Sequence, residues 1–404
     1  MSDKKRISFV IFLTFLVTSV MYITSFVMIP AFRNGLTGIR DSISGDNSDK
    51  ELNGKIAEID AYIEENYFNE YDKNKLNDMA VKGYVAGLGD KYSQYYTKSE
   101  YAELNADLEG NFKGVGVEVT IDDDNLITVL NAYKDAPAHK AGIQAGDKII
   151  KVNGTPVNGD NYDTALNMMR GAGKYGKSDT VTVTIKRGEE TFETKITREE
   201  ITVQTVSSKM LENNIGYIQI SSFGAETDEQ FEKETNALIT QGATSLIIDL
   251  RNNGGGMLES VVYVADYLLP EGIILTIKGK DKKPQEYTSS ADCIDLPMCV
   301  LINGNSASAS EVLAGALKDH KKATLIGEKT YGKGVVQTLF PLSDGDGLKI
   351  TTAKYYTPSG ECIDKKGIKP HKEVKMDLTK NLYLYTMEED VQLGEAIKHL
   401  NGDK

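Results

Sequence analysis

The sequence contains few of the residue types that usually bind metals or act as catalytic bases. Its 404 residues include only three cysteines and four histidines. The cysteines are too few for a disulfide scaffold and lack the paired spacing of a zinc site, which leaves one Cys293–Cys299 bridge or free thiols as alternatives. The histidines lie outside the G-x-S-x-G and H-E-x-x-H motifs. We therefore expect neither a metal nor an organic cofactor, and a nucleophile must use a base other than histidine.

The sequence also lacks an excess of positive charge. Its formal net charge of −13 argues against a nucleic-acid partner, because the phosphate backbone is bound mainly by Lys and Arg. The chain is too long for one compact domain, so two or three domains are expected. With 40% hydrophobic and 26% charged residues, it has the composition of a globular protein with a sizeable core.

One segment has no charge at all. Residues 7–29 form an uncharged, mostly apolar run after Lys4, Lys5 and Arg6, and at about 1.5 Å per residue a helix of that length spans a bilayer. A buried core helix and a cleaved signal peptide are the alternatives, but the run ends without the small-residue cleavage site of a signal peptide. The sequence therefore predicts an uncleaved transmembrane helix. It predicts a single-pass protein of the cell membrane, with its N-terminus in the cytoplasm and the rest of the chain outside.

The rest of the chain is predicted to be a mixed α/β (α+β) protein. Apolar residues recur at helical spacing over residues 52–104, alternating β-branched runs begin at Phe112, and buried strands alternate with helices after residue 200. The predicted divisions are 1–32 for the cytoplasmic tip and anchor, 33–105 for a linker and helical region, 106–200 for a small β-rich domain, 201–380 for an α/β core and 381–404 for a C-terminal helix.

The small β-rich domain carries a peptide-binding pattern. GVGV at residues 114–117 is followed by AGIQAGDKIIKVNG and by a helix near residues 163–169. Together these motifs resemble a circularly permuted PDZ domain of the bacterial type. The resemblance implies that a peptide C-terminus binds the backbone of Gly114, Val115, Gly116 and Val117 and adds as a strand beside residues 115–119. Arg170 matches an arginine of the family, and either links peptide binding to the catalytic domain or is an ordinary surface cation.

A serine-rich loop lies between a buried strand and a helix. NGNSASAS places Ser306, Ser308 and Ser310 just before the helix EVLAGALKDHKK, where free backbone N–H groups favour a developing negative charge. A serine in this position can act as a nucleophile. The structural alternative is that the small residues only pack, and that Ser310 or a neighbour is an N-cap with Glu311 in the first turn.

The octapeptide GEKTYGKG at residues 327–334 is close to a nucleotide-binding P-loop. Gly327, Gly332 and Lys333 occupy motif positions, but Gly334 replaces the hydroxyl that binds the metal ion. A P-loop also opens a helix, whereas the following VVQTLF has the pattern of a strand. The segment is therefore interpreted as the surroundings of a functional Lys333, while the neighbouring Lys329 is interpreted as a solvated surface lysine.

Several long motifs follow one another in order from about residue 62 to residue 370: GYIQISSF, LIIDLRNNGGG, LINGNSASASEVLAGALKD, GEKTYGKGVVQ and TPSGECIDKKGIKP. They resemble the C-terminal processing peptidases, or tail-specific proteases, which are serine-lysine endopeptidases with a PDZ domain and a crotonase-like core. The resemblance implies that Ser308 is the nucleophile, Lys333 the general base and Gln337 the group that orients the lysine. It also implies an oxyanion hole formed by the N–H of Ala309 and by a glycine, taken as Gly255.

This role makes a specific demand on Lys333. A solvated lysine has a pKa of about 10.4 and is almost wholly protonated at neutral pH, so it cannot accept the serine proton. Lowering its pKa to near 7 costs roughly 4 kcal/mol, which burial of the ammonium can supply. The glycines on both sides of Lys333 fit this need, because they let the backbone approach closely.

The motifs together predict a membrane-anchored, extracytoplasmic serine endopeptidase. It would recognise proteins or peptides with accessible C-termini through the PDZ domain and cleave them through an acyl-enzyme. The alternative is a catalytically silent membrane receptor or scaffold that only binds C-termini. The helical region and the amphipathic tail at residues 386–400 either pair between protomers, as in a homodimer, or pack on their own domains.

Overall fold

The computed structural model describes residues 47–402, with gaps at residues 110, 123, 134, 172–174, 177, 281, 377–385 and 387. The chain divides into two units after residue 76. The described part of the first unit contains helix α1 (Asn47–Asn66) and the beginning of helix α2 (Lys73–Ala86). An ion pair of 3.4 Å between Lys73 and Asp60 and an edge-to-face contact between Tyr67 and Tyr71 support the connection between the two helices.

The predicted transmembrane helix requires a correction of the fold. In the part of the chain that the structure describes, no helix is both long enough and apolar enough to cross a bilayer. Helix α1 is long, but it carries charged side chains such as Glu51, Lys55 and Glu58 and is exposed over most of its surface. Residues 7–29, for which the helix was predicted, lie outside the described residues, and the cell-membrane location stays a prediction.

The helical region was predicted correctly in kind. After α2 come a short strand β1 (Gln94–Tyr96) and helix α3 (Lys98–Glu109), so only the strand departs from the expectation. Large apolar side chains are exposed in α1 and α2, among them Ile59, Tyr62 and Tyr84. Exposed apolar side chains do not by themselves establish pairing between protomers, so the homodimer stays a prediction.

The β-rich segment folds around an antiparallel sheet of six strands, ordered β3-β4-β5-β7-β8 with β6 beside β5. Alternate apolar residues of these strands, such as Ile127, Val129 and Ile149, form its core together with helices α4 and α5. Strand β3 lies at the edge of this sheet, and β2 pairs with β9 separately. The elements are β2 (Asn111–Gly114), β3 (Val117–Ile121), β4 (Ile127–Ala132), α4 (Pro137–Lys140), β5 (Lys148–Val152), β6 (Thr155–Pro156), α5 (Tyr162–Arg170), β7 (Thr180–Arg187), β8 (Glu190–Thr197) and β9 (Glu199–Thr202).

The α/β core contains a second six-stranded sheet, ordered β10-β11-β12-β15-β16-β19 and parallel from β11 onward. Its central strands β12 and β15 are buried throughout and mostly apolar, because helices cover both faces of the sheet. The strands are β10 (Val206–Met210), β11 (Ile215–Ile220), β12 (Ser245–Asp249), β15 (Met298–Ile302), β16 (Ala323–Gly327) and β19 (Lys372–Glu373), and the helices are α6 (Thr227–Thr240), α7 (Leu258–Leu268), α8 (Ala309–Asp319) and α9 (Val391–Leu400).

A third sheet was not predicted apart from one of its strands. It has five antiparallel strands, ordered β1-β18-β13-β14, and β17 also pairs with β18. Its other members are β13 (Gly272–Gly279), β14 (Gln285–Ser289), β17 (Val335–Pro341) and β18 (Gly347–Tyr356). Strand β17 confirms that the octapeptide at residues 327–334 leads into a strand. The sheet therefore brings residues 94–96 and 347–356 beside the lysine-containing loop.

Candidate active site

Ser308 is the serine of the loop that faces a cavity. Ser306 and Ser310 are fully buried, and their hydroxyls donate to backbone carbonyls, Ser306 to Leu250 at 2.8 Å and Ser310 to Asn253 at 2.9 Å. These two serines hold the loop in place, as the packing interpretation predicted. Ser308 instead lines an open cavity of about 500 Å³.

The backbone at Ser308 adopts an uncommon conformation. Its φ of 55° and ψ of −115° lie where L-residues are rarely found, and such a conformation costs about 1–3 kcal/mol. Ser308 immediately precedes helix α8, and the loop is tied to the neighbouring turn because Ala307 N donates to Asn253 O at 3.0 Å. The strained residue is thus held by the surrounding structure, at the position where a reactive side chain was predicted.

The cavity brings together the residues predicted from distant motifs. Ser308, Ala309, Lys333 and Gln337 all line it, and so does Lys349, which the sequence analysis did not single out. Much of the remaining wall is apolar and consists of Leu104, Met257, Leu258, Leu275, Val312, Val335, Val336 and Leu339. The cavity can therefore receive an extended chain with an apolar side chain near the Ser308 hydroxyl.

Lys333 has the environment that a neutral lysine requires. Burial lowers its pKa from the ordinary value, and the positive charge of Lys349 lowers it further. Tyr331 and Glu311 act in the opposite direction, while Lys91 again lowers the pKa. The Lys333 ammonium also lies 5.0 Å from the centre of the Tyr92 ring, and that contact favours the protonated form. Burial is the largest of the effects and sets the direction.

Glu311 connects the serine loop to the lysine loop. Its carboxylate is fully buried and accepts hydrogen bonds from Ser308 N at 2.9 Å, Lys333 N at 2.8 Å, Gly332 N at 2.7 Å and Thr330 Oγ1 at 2.6 Å. From the sequence, Glu311 is expected only to lie in the first turn of the helix. A glutamate three residues after an N-cap serine is the signal of a capping box, but its bonds to the distant octapeptide could be found only in the structure.

This arrangement explains the likeness to a P-loop. In a P-loop, successive backbone N–H groups surround a phosphate. Here the N–H groups of Gly332 and Lys333 surround an anion that belongs to the protein itself, the Glu311 carboxylate. Lys329, the other lysine of the octapeptide, is exposed as predicted.

The oxyanion-hole residues lie beside Ser308. Gly255 has a φ of 104°, and a Cβ on it would lie 2.7 Å from Ser308 Cβ and 3.0 Å from Ala309 N, so the position accepts only glycine. The Gly255 N–H, however, donates to Asn253 Oδ1 at 2.8 Å, while Gly254 and Gly256 line the cavity. The roles of Ala309 and Gly255 as oxyanion donors stay predictions.

Gln337 lines the cavity, but its side chain is hydrogen-bonded to a residue other than Lys333, the predicted partner. Its amide nitrogen donates to Thr351 Oγ1 at 3.3 Å, across the β17–β18 pair. Orientation of Lys333 by Gln337 therefore stays a prediction. Tyr355, also on β18, contributes a contact that the sequence did not indicate, because its buried hydroxyl bonds to the carbonyl oxygens of both Ser308 and Lys333.

A buried ion network supports the turn at residues 252–256. Arg251 Nη2 donates to Asp249 at 2.6 Å and to Asp390 at 2.7 Å, and all three side chains are almost fully buried. Asp390 also caps helix α9 by accepting from Leu393 N at 2.9 Å. The C-terminal helix is thereby joined to the strand end from which the glycine turn begins.

The predicted peptide-binding residues lie at the start of edge strand β3. Gly116 has a φ of 75°, and a Cβ on it would lie 2.3 Å from Ala136 Cβ, so this turn requires glycine. Val115 O accepts from Ala138 N at 2.8 Å, which fixes the loop between Gly114 and Val117 against helix α4. Arg170 is the exposed last residue of helix α5. These positions are compatible with strand addition at β3, but the peptide-binding roles stay predictions.

Comparisons with known proteins agree with this architecture. The sequence model of the peptidase family S41 matches residues 214–374, and that of the PDZ domain matches residues 105–186. A Staphylococcus haemolyticus protein described as a CtpA-like serine protease is 34% identical over 410 residues, which span 100% of this chain and 80% of the relative. A Staphylococcus aureus protein with the same description is 36% identical over 373 residues, spanning 91% of this chain and 71% of the relative.

Solved structures are also similar. The photosystem II D1 C-terminal processing protease is 31% identical, with a TM-score of 0.49 over 78% of this chain and 85% of that chain. A Bacteroides fragilis protein assigned to the S41 proteases has the same fold, with a TM-score of 0.56 at 19% identity over 84% of this chain and 93% of that chain. The full-length similarity to the staphylococcal proteins decides the question: the chain belongs to peptidase family S41 and is a serine peptidase of the C-terminal processing type with a PDZ domain.

Proposed function

We propose that the peptidase uses a serine-lysine mechanism, with Ser308 as nucleophile and Lys333 as general base. The observation that supports it is that Ser308 lines the same cavity as a lysine whose pKa is lowered by burial. Ser308 Oγ attacks the scissile carbonyl carbon while its proton passes to the neutral Lys333 amine. The tetrahedral oxyanion accepts hydrogen bonds from Ala309 N–H and from a second N–H of the turn at residues 254–256.

The second half of the reaction reuses the same groups. The Lys333 ammonium gives its proton to the departing amine, which leaves the acyl group on Ser308 Oγ. Lys333, neutral again, then removes a proton from water as that water attacks the acyl carbon. The Lys333 ammonium returns this proton to Ser308 Oγ as the acyl–oxygen bond breaks, which releases the new C-terminus and restores the free enzyme. The apolar wall of the cavity favours an apolar side chain next to the bond that is cut.

We expect the wild-type full chain to cleave an unfolded protein that has a free C-terminal carboxylate. The experiment is incubation at neutral pH followed by mass spectrometry of the fragments, with the same protein amidated at its C-terminus as control. Internal cleavage that slows after amidation supports both the peptidase chemistry and recognition of the C-terminus. Tight binding of the tail without any cleavage would instead support the silent receptor.

Peptide binding at the PDZ domain competes with an internal hydrogen bond. The Tyr162 hydroxyl, at the start of helix α5, donates to Val119 O on edge strand β3 at 2.9 Å. A peptide that adds as a strand beside β3 needs the outward backbone groups of that strand. It must therefore displace Tyr162 from Val119.

We expect Tyr162→Phe to bind a C-terminal peptide about two- to tenfold more tightly than the unmodified protein. The reason is that a net hydrogen bond of about 0.5–1.5 kcal/mol no longer has to be broken. Fluorescence anisotropy of a labelled peptide measures the affinity, in a Ser308→Ala background to prevent turnover. Weaker binding by Tyr162→Phe would mean that the tyrosine hydroxyl contacts the peptide and does not compete with it.

A further inference from the structure

The catalytic cavity contains a second lysine besides Lys333. Lys349 lies on strand β18, opposite Leu339 of β17 in the register of the pair. Gln337 and Leu339 are two residues apart on β17 and line the cavity with Lys349, because alternate residues of a strand face the same side. The sheet thus directs a lysine side chain into the cavity that Ser308 and Lys333 also line.

Lys349 is held in this position from its other neighbouring strand. Lys349 lies opposite Gln94 in the register of the β1–β18 pair, and its ammonium lies 5.1 Å from the centre of the Tyr96 ring. Tyr96 is itself buried. A cation over a partly desolvated aromatic face is stabilised in its charged form. Strand β1 therefore holds the positive charge that Lys349 of β18 presents to the cavity.

The other charged and titratable groups around Lys333 have hydrogen-bond or ring partners of their own or are exposed. The Glu311 carboxylate accepts four hydrogen bonds, and Tyr355 is a buried phenol whose pKa is raised well above its ordinary value by burial. Lys91 Nζ donates to the Tyr331 hydroxyl at 2.6 Å, and Tyr92 presents its ring to both Lys91 and Lys333. Glu259 lines the cavity from the exposed side of helix α7.

We propose that Lys349 is a positioning residue of the peptidase reaction, whose ammonium in the catalytic cavity keeps Lys333 in its neutral, proton-accepting form. The inference rests on the proposed role of Lys333 as general base. Two like charges in one partly dehydrated cavity repel each other, so the proton leaves the less stabilised of the two amines. Each lysine lies over a tyrosine ring, Lys349 over Tyr96 and Lys333 over Tyr92, so the rings do not distinguish the two amines. Burial lowers the pKa of Lys333, so Lys333, the lysine that must act as base, is the one that loses its proton.

The test is the pH dependence of kcat/KM in three variants. The acid limb of this profile reports the pKa of the essential base in the free enzyme, and activity appears as the pH rises through it. Lys349→Gln removes the repelling charge and raises the pKa of Lys333, so the midpoint should move up by about 0.5–1 pH unit. At pH values below the midpoint, kcat/KM should then fall by roughly three- to tenfold.

Two matched variants complete the experiment. Lys349→Arg keeps the charge and should restore the wild-type midpoint. Lys278→Gln removes a lysine that lies 4.2 Å from the centre of the Tyr356 ring in the same sheet, but on an exposed surface, and should leave the midpoint unchanged. High salt should reduce the Lys349→Gln shift, because it screens the repulsion.

Clear outcomes would overturn the proposal. One is a folded Lys349→Gln protein, with an unchanged unfolding temperature, that keeps the wild-type midpoint. Another is a Lys349→Arg protein whose midpoint shifts as far as that of Lys349→Gln, because such a shift would show that the shape of the side chain matters and its charge does not. Failure of the serine-lysine mechanism itself is distinguishable, since Lys333→Ala would then keep its activity.

Discussion

Ser308→Ala and Lys333→Ala are each expected to lower kcat/KM for peptide-bond cleavage by roughly 10⁴- to 10⁶-fold, which is the size of loss found when a nucleophile or its base is removed from a serine protease. Ser308 supplies the attacking oxygen, and without the neutral Lys333 amine its proton has no acceptor. Because the two groups act as a unit, the double variant should be no slower than either single variant. Steady-state cleavage of a fluorogenic peptide at neutral pH measures the loss.

The octapeptide provides a matched control for this prediction. Lys329 lies four residues before Lys333 in the same loop, but it is exposed, so Lys329→Ala should keep wild-type kcat/KM. Binding of a C-terminal peptide should also persist in the Ser308→Ala protein, because the PDZ domain is untouched. A Lys333→Ala protein with wild-type turnover, or loss of turnover in Lys329→Ala alone, would contradict the assignment of the base.

The sequence was informative wherever the chemistry depends on local order. Two segments were predicted from consecutive residues. One runs from β15 through the serine loop to α8, and the other runs from the octapeptide into β17. Strand β18 was missed, although it contributes Lys349 and Tyr355 to the site. Its residues are mostly half-buried, so no continuous apolar run marks it as it marks β12 and β15.

Contacts between distant parts of the chain could not be predicted. Arg251 and Asp390 lie 139 positions apart, and nothing in either neighbourhood indicates that they form an ion pair. Two of the assignments that stay predictions, Gln337 and Gly255, have the same origin. Each depends on one hydrogen bond, and in the structure Gln337 donates to Thr351 and Gly255 donates to Asn253. A sequence motif specifies which residues meet, but it does not specify which partner each polar group finds.

The surroundings of Lys333 act in opposite directions on its protonation equilibrium. The Glu311 carboxylate and the Tyr92 ring favour the Lys333 ammonium, whereas burial and Lys349 favour the neutral amine. In the proposed mechanism the ammonium is also an intermediate, since it gives its proton to the departing amine. If the pKa of Lys333 were too high, the amine could not accept the serine proton, and if it were too low, no proton would be held for the departing amine. The site therefore requires an intermediate pKa and not the lowest attainable one.

Glu311 is the residue on which the largest structural effect is expected. Its carboxylate satisfies three backbone N–H groups and one hydroxyl inside the protein, and each buried donor left without a partner costs about 1–3 kcal/mol. Glu311→Ala is therefore expected to lower the free energy of unfolding by roughly 3–5 kcal/mol. Denaturant unfolding monitored by circular dichroism measures this loss.

Glu311→Gln separates stability from catalysis. The glutamine keeps the shape of the side chain and one acceptor oxygen, but its NH₂ group replaces the other oxygen. Either the N–H groups of Ser308 and Lys333, which share Oε2, or the donors of Gly332 and Thr330, which share Oε1, then lose their partner. We expect this variant to fold with a smaller loss of stability, and its kcat to fall by about 10²-fold or more while KM changes little, because misplacement of catalytic groups by about 1 Å has this effect. Glu229→Gln is the control, since Glu229 occupies the first turn of helix α6 but is exposed and should change neither quantity. Wild-type kcat in Glu311→Gln would mean that the serine and lysine loops keep their geometry without the shared carboxylate. The hydrogen bonds to Glu311 would then contribute to stability alone.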